Sequence, residues 1–247
     1  VDTFKLKTGE PAELIEITGP DDDYAAAILT LLAHKGGAWE RHLDAALKGE
    51  TDALETRWYL GVLGGLPVAN AMLVERHGVA ILGHVYTAEQ FRRRGICRRV
   101  LGALMASFQE RGGRSIILGT GFESVAYRIY ETFGFRSLRG GLMAWYSSDR
   151  NDFEAQWYRP GPAQVHEARW EHWPLAASLA TFAETSGLRS AAWGIFDIAN
   201  LEGPYCSFMA RRMEPGYSGV VSQTDAGAVI AVATCMPFRI GETGSPW

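Results

Sequence analysis

Cysteine is scarce in this chain: 247 residues carry three, Cys97, Cys206 and Cys235. An odd number at wide spacing excludes a disulfide framework and the paired-cysteine zinc motifs. The histidines His34, His42, His77, His84, His166 and His172 show no tight ligand spacing, and the helical pattern His-Glu-x-x-His is missing, so no metal is expected. Long apolar runs are also lacking. No stretch approaches the roughly 18 uncharged residues of a membrane span, and no basic-then-apolar leader opens the N-terminus. The expectation is a soluble, cytoplasmic protein that engages no membrane. Nor is there an excess of positive charge: 24 basic residues face 28 acidic ones, for a net charge of -4. Nucleic-acid binding usually needs an extended basic face, so it is not expected here.

What is present is ample apolar content and a readable order of elements. Ala12 to Thr18 alternates like a strand, and Asp21-Asp22-Asp23 supply capping acids for an apolar helix from Tyr24 to about Leu32. A second helix is expected from Trp39 to Lys48. Trp58 to Leu63, the turn Gly64 to Pro67, and Val68 to Val74 have the pattern of a hairpin, and His77-Gly78 turns into a third strand, Val79 to Thr87. In the next helix Val100, Leu101, Leu104, Met105 and Phe108 recur at helical spacing up to about Glu110, and Gly112-Gly113 stop it. A short strand (Ser115 to Leu118), a helix (Glu123 to Phe133, ended by Gly134) and one or two closing strands (Phe135 to Ser148) follow.

The stretch 150–162, with Arg159-Pro160-Gly161-Pro162, reads as a linker between residues 1–149 and a second unit, 163–247. There the order partly starts again. Ala163 to Ala168 parallels Ala12 to Ile17; helices are expected over Trp173 to Phe182 and Ser190 to Ile198; and Ser218 to Ser222 with Ala228 to Met236 repeat the hairpin. This partial repeat stops near Gly241. Either the second copy is a half-domain or the chain is a fragment.

The segment with most chemistry is Gln90-Phe91-Arg92-Arg93-Arg94-Gly95-Ile96-Cys97-Arg98-Arg99. It is a basic, glycine-containing loop that runs straight into an amphipathic helix. A helix start leaves N–H groups without intrahelical partners and carries partial positive charge, so the loop suits a phosphate. No such loop occurs in 163–247, which predicts one site per chain.

Arg92-x-x-Gly95-x-Cys97 resembles the acyl-CoA pyrophosphate motif of the GNAT superfamily of N-acetyltransferases, Gln/Arg-x-x-Gly-x-Gly/Ala. Ala126-Tyr127-Arg128-Ile129-Tyr130-Glu131-Thr132-Phe133-Gly134-Phe135 resembles the Ala-x-x-x-Tyr-x-x-x-Gly-Phe ending of the same fold. The resemblance covers roughly residues 12–148. It implies an α/β (α+β) fold: a mixed, mostly antiparallel, twisted sheet flanked by helices. It also implies an enzyme that moves an acetyl (acyl) group from acetyl-CoA to a primary amine of a small molecule or protein, by direct transfer in a ternary complex. The alternative is a non-catalytic acyl-CoA-binding or regulatory module. Two residues depart from the pattern. Cys97 stands where the family has Gly or Ala, and Glu123 where many members carry Asn near the pantetheine arm.

By the same resemblance, Val85, Tyr86 and Thr87 offer backbone groups to the pantetheine. Arg92, Arg93, Arg94, Gly95, Ile96, Cys97 and Arg98 surround the pyrophosphate. Tyr130 holds the position of the tyrosine that protonates the CoA sulfur, and a backbone N–H near Val85 serves the oxyanion. The general base stays open. His84 has a suitable intrinsic pKa, and Glu75, His77 and Glu89 are close in sequence, but no base is needed if the amine arrives neutral. Alternation puts His84 and Tyr86 on one face of their strand, without saying which face meets substrate. Cys97 at a helix start beside arginines is expected to have a lowered pKa, yet phosphates would occupy that spot, so a nucleophilic role is not assigned. The aromatics Trp170, Trp173, Trp193, Phe196, Tyr205 and Phe208 are expected to form a core, some of them lining an acceptor pocket at the junction. A half-copied sheet would leave an edge to cover, which allows a homodimer.

Overall fold

Period-two alternation and tight turns build most of the first half of the chain. The computed structural model describes residues 2–182, 189–190, 195–196 and 201–237. Strands β1 (Asp2–Lys5), β2 (Pro11–Thr18), β3 (Glu55–Leu63), β4 (Leu66–Arg76), β5 (Val79–Thr87), β6 (Ser115–Gly119), β7 (Arg136–Arg139) and β8 (Leu142–Tyr146) form one sheet. Their order is β1-β2-β3-β4-β5-β6-β8-β7, antiparallel except at β5/β6. Helices α1 (Ala25–Leu31) and α2 (Gly37–Lys48) lie between β2 and β3, α3 (Ile96–Glu110) joins β5 to β6, and α4 (Val125–Glu131) follows β6. The first helix is entered as expected: Asp21 Oδ1 accepts from the Tyr24 N–H at 2.7 Å.

Two cores result, one on each face. Against α3, the sheet buries Tyr59, Ala69, Ala71, Leu73, Leu82, Ile116 and Leu118, and α3 buries the stripe read from its spacing together with Ile96. On the opposite face, Trp58, Leu60, Met72, Val74 and Ile81 pack with Ile28, Leu43 and Leu47 of α1 and α2. This second core runs on without a break into the C-terminal segment, through Trp157, Trp170, Trp173, Tyr205, Phe208, Val221 and Val229.

The stretch expected as a linker is therefore built into the structure. Asp149 caps helix α5 (Arg150–Trp157) by accepting from the N–H groups of Asn151 and Asp152. Phe153 and Trp157 are buried, and the Arg114 guanidinium lies over both rings, 5.3 and 4.7 Å from their centres. The Asp-x-x-Asp start and the apolar pair at four-residue spacing are helix signals that outweigh the Pro-Gly run, which begins only after the helix.

Beyond it come β9 (Ala163–Glu167), α6 (Trp173–Phe182), the two-residue strands β10 (Arg189–Ser190) and β11 (Ile195–Phe196), α7 (Glu202–Met209), β12 (Ser218–Thr224) and β13 (Val229–Cys235). Strands β9, β12 and β13 form a separate antiparallel sheet ordered β13-β12-β9. Strand, two helices, hairpin is also the order of β2, α1, α2, β3 and β4, with the same antiparallel pairings. The helix expected over Ser190 to Ile198 is corrected where the structure describes it: Ser190 and Ile195–Phe196 are extended and pair antiparallel. Residues 191–194 and 197–198, including Trp193, lie outside the described residues. No helix among the described residues is long and apolar enough to cross a membrane, and no group of three or more His, Cys, Asp or Glu side chains among them could hold a metal ion.

Candidate active site

The site begins with a ladder that stops short. Strand β5 pairs with β6 through Val79, Ala80 and Ile81 alone, while on its other side it pairs with β4 as far as Thr87. Parallel neighbours that part after three residues open a wedge, and the β5 edge from Leu82 to Thr87 faces it without a ladder partner among the described residues. A bulge deepens the opening. The β4/β5 register shifts between Asn70 and Met72, and His84 there takes a left-handed φ of 50°. The Asn70 amide satisfies the displaced backbone by donating to the His84 carbonyl at 2.9 Å. Asn70 sits in the otherwise apolar run Val68 to Val74, a lone polar residue whose place the sequence itself marks.

At the end of β5 the arginine loop swings back over the sheet. Gly95 caps α3 with φ 91°, a conformation that costs glycine least. The helix start has no side-chain cap and no acidic residue in its first turn. The N–H groups of Ile96, Cys97 and Arg98 therefore point out of a positive helix end whose first turn carries no carboxylate. The arginines divide the remaining work. Arg94 anchors the loop: its guanidinium bonds Glu10 at 2.9 Å and the Gln90 carbonyl at 3.0 Å, and its own carbonyl accepts from the Lys7 N–H at 3.2 Å. Arg92 bonds the Thr87 carbonyl at 3.0 Å, tying the loop to the end of β5, and Arg98 reaches Thr132 on the α4 side at 3.0 Å. Arg93 is exposed, and among the described residues its side chain has no ion pair or hydrogen bond.

Tyr130 comes from α4 on the far wall of the wedge. Its ring is buried, 5.9 Å from that of Phe135. Its hydroxyl makes no hydrogen bond among the described residues, so the plain structural role, a phenol tied to a carbonyl, is not what is seen. Burial, with a contribution from Cys97, pushes the phenol well above its ordinary range, so it keeps its proton at any working pH. The expectation of a lowered Cys97 pKa is corrected: burial of the thiol raises it and outweighs the pull of Arg98. Glu123 is exposed at the turn before α4, in a left-handed φ of 56°, and pairs with Arg128 at 3.2 Å. Val85 packs toward the α3 face; Tyr86 lies on the other.

Residues 59–143 match the family model described as FR47-like protein. The matched span runs from β3 to β8 and contains the wedge, the loop and Tyr130. Among solved structures, the chain is similar to a GNAT-family acetyltransferase from Staphylococcus aureus Mu50, with 13% identity over 56% of this chain and 99% of that one, at a TM-score of 0.45. It is similar also to the ribosomal-protein-S18-alanine N-acetyltransferase from Escherichia coli, with 16% identity, 55% and 96% coverage, and a TM-score of 0.43. An IAA acetyltransferase from Bacillus cereus shows 22% identity, 51% and 79% coverage, and a TM-score of 0.40. No curated protein matches the sequence.

The other face of the sheet holds a set of buried polar groups. Among the described residues, His84 Nε2, Asn70 Oδ1 and both ring nitrogens of His42 are buried without a hydrogen-bond partner. His84 and Tyr86 do share a face, as alternation requires, and it is the face of α1 and α2. The Trp39 ring meets His84 edge-on at 5.4 Å, and His34 packs on Tyr86 at 4.4 Å. Burial lowers the His84 pKa to about 3, helped by His42, Lys35 and His34, and burial alone lowers that of His42 to about 3. Both are neutral in the fold. Glu75 and His77, the other bases considered, lie at the opposite end of β5: Glu75 pairs with Ala80 and is held by Arg111 at 2.7 Å. Glu89 is exposed and pairs with Arg92 at 3.3 Å.

These histidines make the fold acid-sensitive. Their folded pKa lies below the unfolded value of about 6.5, so the unfolded chain binds more protons and stability falls as pH drops below that value. Each is expected to cost about 1 kcal/mol at pH 5.5 relative to pH 7.5. Urea unfolding at the two pH values, with His42→Phe as comparison, should show the acid loss shrink in the variant.

Proposed function

We propose that the chain is an acyl-CoA-dependent N-acyltransferase, in the simplest case an acetyltransferase that moves the acyl group directly to a primary amine in a ternary complex. One arrangement carries this reading: a strand edge without a ladder partner leads into a helix start that is uncapped, free of acids and ringed by arginines. A long ligand with amide groups along one half and a pyrophosphate at the other fits that sequence of surfaces. Val85, Tyr86 and Thr87 lie along the amide half. Arg92, Arg93, Arg94, Gly95, Ile96, Cys97 and Arg98 surround the phosphate half, where N–H groups supply most of the binding.

The bulge at His84 turns the backbone of Val85 toward the oxygen of a thioester, where an N–H donor stabilises the charge that develops. Tyr130, protonated and with no hydrogen-bond partner for its hydroxyl among the described residues, hands a proton to the departing thiolate. His84, neutral throughout, orients the acceptor by hydrogen bonding from the opposite face. Glu123 flanks the pantetheine end of the wedge.

Release of free thiol from acetyl-CoA in the presence of a panel of primary amines tests the reading, with calorimetry of CoA binding beside it. Thiol release that depends on the amine supports it. CoA binding without turnover of any amine would favour a binding module, and no CoA binding removes both.

A further inference from the structure

The acceptor side of the wedge is closed by a part of the chain outside the FR47-like span. The connection between α1 and α2 carries His34 and Lys35, the first turn of α2 carries Trp39, and together they are held between β5 and α7. On the β5 side they make the His34–Tyr86 and Trp39–His84 contacts. On the other side they receive the start of α7. A side chain at Gly203 would begin 3.9 Å from the Trp39 ring, and Cys206 Sγ lies 3.7 Å from the Ala38 carbonyl. The Trp173 indole, 6.0 Å from Trp39, donates to the Glu202 carbonyl at 2.9 Å. One tryptophan ring thus bridges His84 and the first turn of α7. Glu202 is the acid of that turn, and Lys35 lies within electrostatic reach of both Glu202 and His84.

We propose that the C-terminal segment completes the active site and that Glu202 accepts the proton an acceptor ammonium must lose before it attacks the thioester. The inference rests on the acyltransferase reading. In the step, one N–H proton of the ammonium passes to the Glu202 carboxylate and later to solvent. The neutral nitrogen then forms a bond to the acyl carbon as the carbon–sulfur bond breaks. Tyr130 protonates the sulfur, and the second proton lost by the nitrogen restores the phenol, so charge and protons balance.

His84 is badly suited to this task. With a pKa near 3, it takes a proton from an ammonium only at great cost. Glu202 is the better match: burial raises its carboxyl to about 7 and Lys35 pulls it back. Among the described residues, the charged and titratable groups around it include Lys35 on the connection and Cys206 one turn on along α7, with Arg41 of α2 facing Cys206. The arrangement also gives the C-terminal segment a reason to share a core with the domain.

The test compares wild type, Glu202→Gln, Glu202→Asp and Lys35→Met with acetyl-CoA and a panel made of spermidine, lysine, 2-phenylethylamine and a lysine-containing peptide. For any amine that turns over, Glu202→Gln is expected to lower kcat/KM at pH 7 by about 100-fold, with CoA affinity unchanged. The deficit should shrink at high pH, where the amine arrives neutral, and Glu202→Asp should recover part of it. Lys35→Met should move the acidic limb of the pH profile upward, because it removes the charge that favours the ionised carboxyl. A purely structural role moves none of these limbs. Turnover that Glu202→Gln leaves unchanged, or lowers equally at every pH, overturns the proposal while the acyltransferase reading stands. Failure of the wild type to bind CoA overturns both.

Discussion

Tyr130→Phe is expected to lower kcat by about 100-fold and to leave CoA affinity as it was. The substitution removes one hydroxyl that has no hydrogen-bond partner among the described residues, so no internal contact is broken. The ring keeps its place beside Phe135, 5.9 Å away, in the core between α3 and the sheet. Stability should therefore change by no more than about 0.5 kcal/mol, and a thermal melt separates this case from general damage. On the acyltransferase reading, what is lost is the proton for the departing sulfur. Burial raises the phenol pKa, so the proton rests on the phenol until a thiolate forms beside it in the same dry wedge. An unchanged kcat would assign the sulfur's proton to water or to another group.

Gly61→Val is expected to damage the site from the other side of the sheet. Gly61 lies in β3 under the first turn of α3. A Cβ there would fall 2.5 Å from Ile96 Cγ2, and 3.4 Å from both Val100 Cγ2 and Ala69 Cβ. A glycine inside a strand often marks such a close approach, and this one lets α3 sit down on the sheet. Overpacking of this kind costs about 1–3 kcal/mol. The relief available is an outward shift of the start of α3, which carries the N–H groups of Ile96, Cys97 and Arg98 away from the phosphate position. A lower melting temperature and at least a tenfold weaker CoA affinity, about 1.4 kcal/mol, should appear together. Gly102→Ala is the control on the same helix, because its Cβ would meet nothing nearer than Phe133 Cε1 at 3.9 Å. It should stabilise by about 0.5–1 kcal/mol through helix propensity and leave CoA binding intact.

Local pattern made much of this legible beforehand. The stripe from Val100 to Phe108 placed α3, and the alternating runs around Gly64 and Gly78 placed the β3-β4-β5 meander. The two short motifs, at Arg92 to Cys97 and Ala126 to Phe135, fell in the elements that flank the wedge. Strand β1 escaped because it lies at the sheet edge with mostly exposed side chains, which leaves no alternation to read. Helix α7 escaped because Gly203 and Pro204 look like breakers. Both stand in the first turn, where a missing N–H costs nothing.

The acceptor side was not legible, for a physical reason. His34, Lys35, Trp39, His84 and Glu202 come from three separated stretches and meet only through packing of the α1–α2 region between β5 and α7. The neutrality of His84 is likewise a property of its burial; its neighbours in sequence carry no sign of it. The order β2-α1-α2-β3-β4 returns as β9-α6-α7-β12-β13, with the two-residue strands β10 and β11 between α6 and α7.

The central claim is that one acyl-CoA binds along β5 and at the start of α3. Calorimetric titration of CoA into the whole chain, repeated with dephospho-CoA, pantetheine and the variant Gly95→Val, tests it most directly. The account predicts one CoA per chain. Affinity should survive loss of the 3′-phosphate in large part, fall steeply for pantetheine, which lacks the pyrophosphate, and vanish in Gly95→Val. Two sites per chain, or a Gly95→Val variant that folds and binds CoA like the wild type, would contradict it.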